Sequence, residues 1–231
     1  FEVTIEQDPT RAIGIDAYSD AQIAKTGSWK SAPREAIIIG LKELPDEATP
    51  LRHRHIMFGH AYKFQPEGQK LLARFKAGGG TLYDLEYLTD DKGIRVAAFG
   101  YWAGYAGAAV AIKSWAAAQQ GNICEPLHTF TSAQSLINHV IKGLNKPRPR
   151  VIIIGAKGRV GSGARDFCNA IDASVTSWDM DETAHGGPFP EILEHDIFLN
   201  CILATEKTPI FIPNAVKTTK RKLMVIGDIA C

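Results

Sequence analysis

The sequence predicts an α/β protein of two domains, each built on a parallel sheet, with a cleft between them. Three observations lead there. Short apolar runs alternate with helix-patterned segments, the order expected of strands joined by crossover helices. Most of the runs are apolar throughout, as strands of a sheet covered on both faces must be. The alternation also occurs twice, separated by Lys146-Pro147-Arg148-Pro149-Arg150, where proline stops helices and favours extended chain.

In the first half, Phe1–Glu6 alternates apolar and polar residues and predicts a strand. A short helix is expected over 16–24 and a buried strand over 36–41, with three consecutive isoleucines. His53, Arg54 and His55 form a polar run that predicts a solvated loop, and a further strand is expected over 56–59. A helix over 69–77 is closed by Gly78-Gly79-Gly80, and Thr81–Tyr87 predicts a strand. Val96–Ala118 is rich in small residues and suits a tightly packed helix joining the two domains, and 132–143 is an amphipathic helix. The second alternation predicts strands over 151–154, 175–178, 197–202 and 223–226, with a helix over 160–171. The expected domains are 1–96, which would carry substrate chemistry, and 97–231, which would bind a nucleotide.

Composition excludes several classes. The chain has 231 residues, 45% hydrophobic and 22% charged, enough for a sizeable core. Its formal charge of +1 gives no field for nucleic acid. No apolar run reaches the length of a membrane span. The N-terminus has neither a basic segment nor a long apolar stretch, so no signal peptide is expected, and the missing initial Met implies residues upstream. Cys124, Cys168, Cys201 and Cys231 form no C-x-x-C pair, which fits free thiols in a reducing cytoplasm. Cys124 and His128 have helical spacing, but two ligands are too few for a metal site, and none is expected.

The sharpest local motif is Val151-Ile152-Ile153-Ile154-Gly155-Ala156-Lys157-Gly158-Arg159-Val160-Gly161-Ser162-Gly163. It reads as strand, glycine turn and helix, the Rossmann-like arrangement for a dinucleotide. Gly155 suits the tight turn, Gly158 close approach to a pyrophosphate, and Gly161 packing of helix on strand. The helix N-terminus offers N–H groups to phosphate. Asp179 ends the next strand about 20 residues on, where a carboxylate binds ribose hydroxyls and repels a 2′-phosphate. NAD is therefore expected. The competing reading makes Asp179 a helix cap in some other α/β protein.

The first half supplies chemistry at strand ends: Lys42 and Glu43, then His60 and Lys63, with Glu86 near the end of the next strand. Positive groups gathered in one cleft disfavour one another's protonation, the condition a lysine base needs. Taken singly, each reads first as a solvated or structural side chain, since lysines at strand ends are usually solvated and a lone histidine is usually structural.

Several motifs together resemble the lysine-forming saccharopine dehydrogenases. They are Gly27-Ser28-Trp29-Lys30, Ile37–Glu43, Gly59-His60-Ala61-Tyr62-Lys63, Gly80–Glu86 and Arg95–Gly100, then Gly158–Gly163, Trp178-Asp179 with Glu182-Thr183, and Gly186–Phe189. The resemblance implies oxidation of saccharopine by NAD to an imine, then hydrolysis to lysine and 2-oxoglutarate, with Lys42 and His60 as the acid–base pair. It implies a substrate pocket of Glu43, Lys63, Gln65, Glu86, Arg95, Phe99, Asp228, Ile229 and Ala230. It implies cofactor contacts from Gly155, Gly158, Arg159, Val160, Gly161, Asp179 and Thr183. Ile94, Leu203 and Ala230 depart from the pattern, and Val160 replaces a cysteine, which removes a disulfide to Cys201. The resemblance also implies that both ends of the family's first domain extend beyond these residues. The partners would be small molecules, and the protein a monomer or small homo-oligomer. The alternatives are an alanine-type amino-acid dehydrogenase and a non-catalytic NAD-binding regulatory protein.

Overall fold

A computed structural model describes residues 2–11, 13–42, 44–62, 66–204, 206 and 208–229. The chain divides into two compact units, Phe1–Ala98 and Phe99–Cys231.

In the first unit β1 (Thr4–Glu6) pairs in parallel with β2 (Gln22–Ala24). The helix expected over 16–24 is absent. A 3-10 turn at Ile15–Ala17 leads into β2, whose ladder satisfies backbone groups that a nine-residue helix would have held only marginally. Glu6 then fixes the next turn, because its carboxylate accepts from Gly27 N at 2.9 Å, Trp29 N at 2.6 Å and Ser28 Oγ at 2.9 Å.

β3 (Ile37–Ile39), β4 (Arg54–Met57) and β5 (Thr81–Asp84) form a parallel sheet in the order β3-β4-β5, with α1 (Pro66–Gly78) crossing from β4 to β5. Two expectations are corrected here. β3 is an edge strand, not a buried one: Ile37 is 49% and Ile39 78% exposed. The run His53–His55 is not a solvated loop. Arg54 and His55 belong to the central strand, and His53 and His55 are each only 1% exposed. His53, His55 and Met57 all turn inward, at the period of two that a strand imposes. His55 packs edge-on against Trp29 and Phe75, with ring centroids 5.3 Å away in each case.

The second unit contains α2 (Tyr101–Gln119), α3 (Ala133–Lys142), β6 (Arg150–Ile154), α4 (Arg159–Ala170), β7 (Ser174–Trp178), α5 (Met180–Thr183), β8 (Ile197–Asn200) and β9 (Val225–Asp228). Its sheet is all parallel, in the order β7-β6-β8-β9. Val151–Ile154 and Ile197–Leu199 are fully or almost fully buried, as expected of strands covered on both faces. Val151, Ile153 and Leu199 face a core shared with α2, α3 and α4, which includes Ile112, Val140 and Phe167. Ile152, Ile154 and Phe198 face the other way, onto Phe189, Ile192 and Leu223.

The Cys124–His128 segment is irregular rather than helical. Among the described residues no cluster could hold a metal ion, and no helix is long and apolar enough to cross a membrane.

Candidate active site

The carboxyl edge of the second unit's sheet carries the nucleotide motif. β6 ends at Ile154, in register with Trp178 of β7 and Asn200 of β8, and Asn200 pairs with Asp228 of β9. In open α/β sheets ligands bind along this edge. At Gly155 the chain turns with φ 85°, in the left-handed region. The turn is stitched to β7, because Gly155 N and Ala156 N both donate to Trp178 O, at 2.9 and 3.0 Å.

α4 starts directly behind it. A Cβ on Gly161 would lie 2.0 Å from Gly155 O, so only glycine lets the helix begin this close to the turn. Gly158 is different. A Cβ there would meet Gly155 O alone, at 3.3 Å. Packing within the protein does not demand glycine at this N-cap; open backbone beside the helix N-terminus does suit a pyrophosphate. The residues present therefore fit a dinucleotide. Arg159 is the first residue of α4 and is exposed, while Val160 packs partly buried against the core.

Asp179 follows β7 and serves two roles at once. Its carboxylate accepts from Lys157 N in the glycine turn at 2.9 Å, and from Met180 N at 3.0 Å as the cap of α5. Glu182 completes a capping box by accepting from Asp179 N at 2.7 Å, and Thr183 Oγ1 donates to Asp179 O at 2.8 Å. Asp179 is therefore a cap, and the same carboxylate stands against the glycine turn. Lys157 reaches Asp181 at 3.2 Å, and that carboxylate raises the lysine's pKa.

Farther along the same edge, Asn200 Nδ2 donates to Asp228 Oδ1 at 2.9 Å. Ile229 packs inward on α2, with its Cδ1 2.8 Å from the place a Cβ on Gly107 would occupy. Phe99 is exposed at the start of this unit. Burial raises the thiols of Cys168 and Cys201 to about 12.

In the first unit the carboxyl edge gathers other groups. Lys42 lies three residues beyond β3 and is exposed. His60 lies three residues beyond β4, at φ 48°, in the wall of an open groove of about 960 Å³ that also takes in Leu44, Phe58 and Lys70. β5 ends at Asp84, and a 3-10 turn at Leu85–Tyr87 replaces the strand expected to run to Tyr87. That turn aims Glu86, whose side chain is 12% exposed, at His60 Nδ1 (4.0 Å) and Arg95 Nη2 (3.0 Å). Glu86 therefore links His60 and Arg95.

Glu43, Lys63, Gln65 and Ala230 lie outside the described residues. Asp84 was missed in reading the sequence, although its place at a strand end beside Glu86 was a signal. Asn200, opposite Asp228, was missed too.

The family profile of the alanine dehydrogenase/PNT N-terminal domain matches residues 1–106. Saccharopine dehydrogenase (NAD(+), L-lysine-forming) of Yarrowia lipolytica is 44% identical over 245 residues, covering 100% of this chain and 66% of that protein. The Schizosaccharomyces pombe protein of the same name is 42% identical over 247 residues, covering 100% and 67%. The chain thus spans about two thirds of the length of these curated relatives. Among solved structures, an L-alanine dehydrogenase superposes with a TM-score of 0.54 at 16% identity, over 94% of this chain and 62% of that one. A transhydrogenase from Sinorhizobium meliloti superposes with 0.50 at 15%, over 88% and 62%. These two likenesses bear on fold alone and agree with the parallel α/β architecture. The sequence likeness reaches further, because it covers the whole chain, both strand-edge constellations included. On that ground the chain belongs to the family of NAD(+)-dependent, L-lysine-forming saccharopine dehydrogenases.

Proposed function

We propose that this protein oxidises saccharopine with NAD and releases L-lysine and 2-oxoglutarate, and that the reaction is reversible. The observation that carries the reading is the cluster of His60, Glu86 and Arg95 at the edge of one sheet, with Lys42 three residues beyond the neighbouring strand β3. When bound, NAD supplies the hydride acceptor. Gly155, Gly158 and Gly161 would admit its pyrophosphate to the turn and the N-terminus of α4, with Arg159, Val160 and Thr183 close by. Asp179 would take the adenosine ribose. The acidic neighbours Asp181 and Glu182 add to the repulsion of a 2′-phosphate, which favours NAD over NADP.

The chain's own groups move protons. One of Lys42 and His60 accepts the proton of the substrate's secondary amine as the carbon–hydrogen bond on the glutamate side breaks. Water then adds to the imine carbon. The other group takes a proton from that water and returns one to the leaving nitrogen as the carbinolamine collapses. The balance is saccharopine, NAD(+) and water on one side, and lysine, 2-oxoglutarate, NADH and a proton on the other. Glu86 moderates the positive charge. Arg95 suits a substrate carboxylate, since guanidinium and carboxylate pair in two-pronged geometry. Glu43, Lys63, Gln65, Phe99, Asp228, Ile229 and Ala230 complete the proposed substrate contacts. A cytoplasmic location and a monomeric or small homo-oligomeric state belong to the same proposal. A catalytic domain over 1–96 and an NAD-binding domain over 97–231 complete the proposal.

The test is NADH absorbance with saccharopine and NAD, run in reverse with lysine and 2-oxoglutarate, on wild type and Lys42→Met. Turnover by wild type is expected in both directions. The variant should lose roughly 10²–10⁴-fold in kcat, the range for a general acid or base, with NAD binding retained. Oxidation of alanine but not saccharopine, or NAD binding without any turnover, would overturn the reading.

A further inference from the structure

We propose that Asp84 is the positioning residue of the first unit's site. In this reading its carboxylate sets where His60 and Glu86 stand. The inference rests on the proposal that His60 is an acid–base group.

The need arises from the sheet. β4 and β5 run in register up to Met57 and Asp84, and there the ladder ends. The chain after β4 turns away, and His60 takes φ 48°, a conformation that residues with side chains avoid. Something must hold it. Asp84 Oδ1 accepts from Gly59 N at 3.1 Å and Oδ2 accepts from Ala61 N at 3.4 Å, one N–H on each side of His60. The same Oδ1 accepts from Glu86 N at 3.0 Å and so caps the turn that carries Glu86. One carboxylate therefore grips both flanks of the histidine and the backbone of its acidic neighbour. An ionised acceptor makes such bonds stronger than a neutral one. The 4.0 Å separation of His60 Nδ1 from Glu86 Oε2 follows from that shared anchor.

Asparagine is the informative substitution. Its oxygen can still accept from Gly59 N and Glu86 N, but its NH2 group would confront the Ala61 N–H as donor against donor. Alanine removes all three acceptors.

The full chain would be compared as wild type, Asp84→Asn and Asp84→Ala. The measurements are kcat and its pH profile, KM for saccharopine, NAD affinity, and the imidazole NMR signals of His60 assigned with His60→Gln. A misplacement near 1 Å costs on the order of 10²-fold, so kcat should fall about that far in Asp84→Ala and less in Asp84→Asn. NAD affinity should hold, and the His60 signals should move in both variants. Should Asp84→Ala fail to fold, Asp84→Asn alone decides. Unchanged His60 signals in a folded variant overturn the proposal, whether or not kcat falls. Displaced signals support it. If the signals move while His60→Gln keeps wild-type turnover, Asp84 still places His60, and it is the catalytic reading of His60 that fails.

Discussion

Replacing Gly104 with Ala tests the crossing of α2 and α4 in the second unit. A Cβ on Gly104 would lie 1.8 Å from Val160 O and 2.7 Å from Val160 C. The approach is reciprocal, since a Cβ on Gly163 would lie 1.9 Å from Tyr101 O. Carbon and oxygen in ordinary contact sit roughly 3.3–3.6 Å apart. The helices must therefore open by about 1.5 Å at this point. A gap of even 0.5–1 Å forfeits about a quarter to a half of each dispersion contact across it. The contacts at risk include those of Tyr105, Ala108, Ala164 and Phe167, all buried. Overpacking costs about 1–3 kcal/mol, and a clash with rigid backbone belongs at the upper end. Against this, alanine favours helix over glycine by about 1 kcal/mol. The net expectation is a loss of about 2 kcal/mol, and about the same for Gly163→Ala. Urea unfolding followed by circular dichroism measures it. Gly143→Ala is the control, because a Cβ there meets Val140 O at an ordinary 3.7 Å. If Gly104→Ala instead stabilises the protein by about 1 kcal/mol, propensity alone is acting and the close crossing is wrong.

Three further outcomes are expected. Asp179→Ser should weaken NAD binding and narrow the preference over NADP while its hydroxyl still caps α5; an unchanged ratio of the two affinities would count against the ribose role. Burial first, then neighbouring His53 and Arg74, lower the pKa of His55 from 6.5 to about 4. The unfolded chain thus takes up a proton near pH 6.5 that the folded chain refuses until about 4. Stability is untouched above that window and falls by roughly 3 kcal/mol across it. His55→Leu should flatten the unfolding midpoint against pH, and an undiminished acid slope would sink the assignment. Cys168 and Cys201, with thiols near 12, should resist alkylation at pH 8 until the protein unfolds; peptide mapping that finds either modified in the native state would contradict their burial.

Most of the second unit was legible because its central strands, β6 and β8, are apolar on both faces and its turn is written in glycine. The first unit was harder for physical reasons. Ile37–Ile39 look like core, yet nothing local says whether a strand has a neighbour on both sides. His53 and His55 hid the central strand, since their inward period is carried by residues that usually mark surface. The chemistry-bearing residues could be picked out at strand ends. The bonds from Asp84 to Gly59, Ala61 and Glu86 could not, because they depend on how far two strands 25 residues apart extend in register. Asp179 offered two readings, and the geometry bears on one of them: it caps α5, while the ribose role rests on the proposal.

The parallel ladders of the second unit differ in how much chain each must close. β6 and β7 pair Ile154 with Trp178, 24 residues apart, whereas β6 and β8 pair Ile154 with Asn200, 46 residues apart. Closure entropy grows with the loop, and long-range parallel pairings form slowly. The smaller loop runs from the end of β6 through the glycine turn and α4 to β7, and it is fastened where Gly155 N and Ala156 N reach Trp178 O. As the chain folds, the turn proposed to cradle phosphate is thus expected to take shape with the first ladder, before β8 and β9 dock. Exchange of the Gly155 and Ala156 amide hydrogens should slow early in refolding, ahead of those in β9.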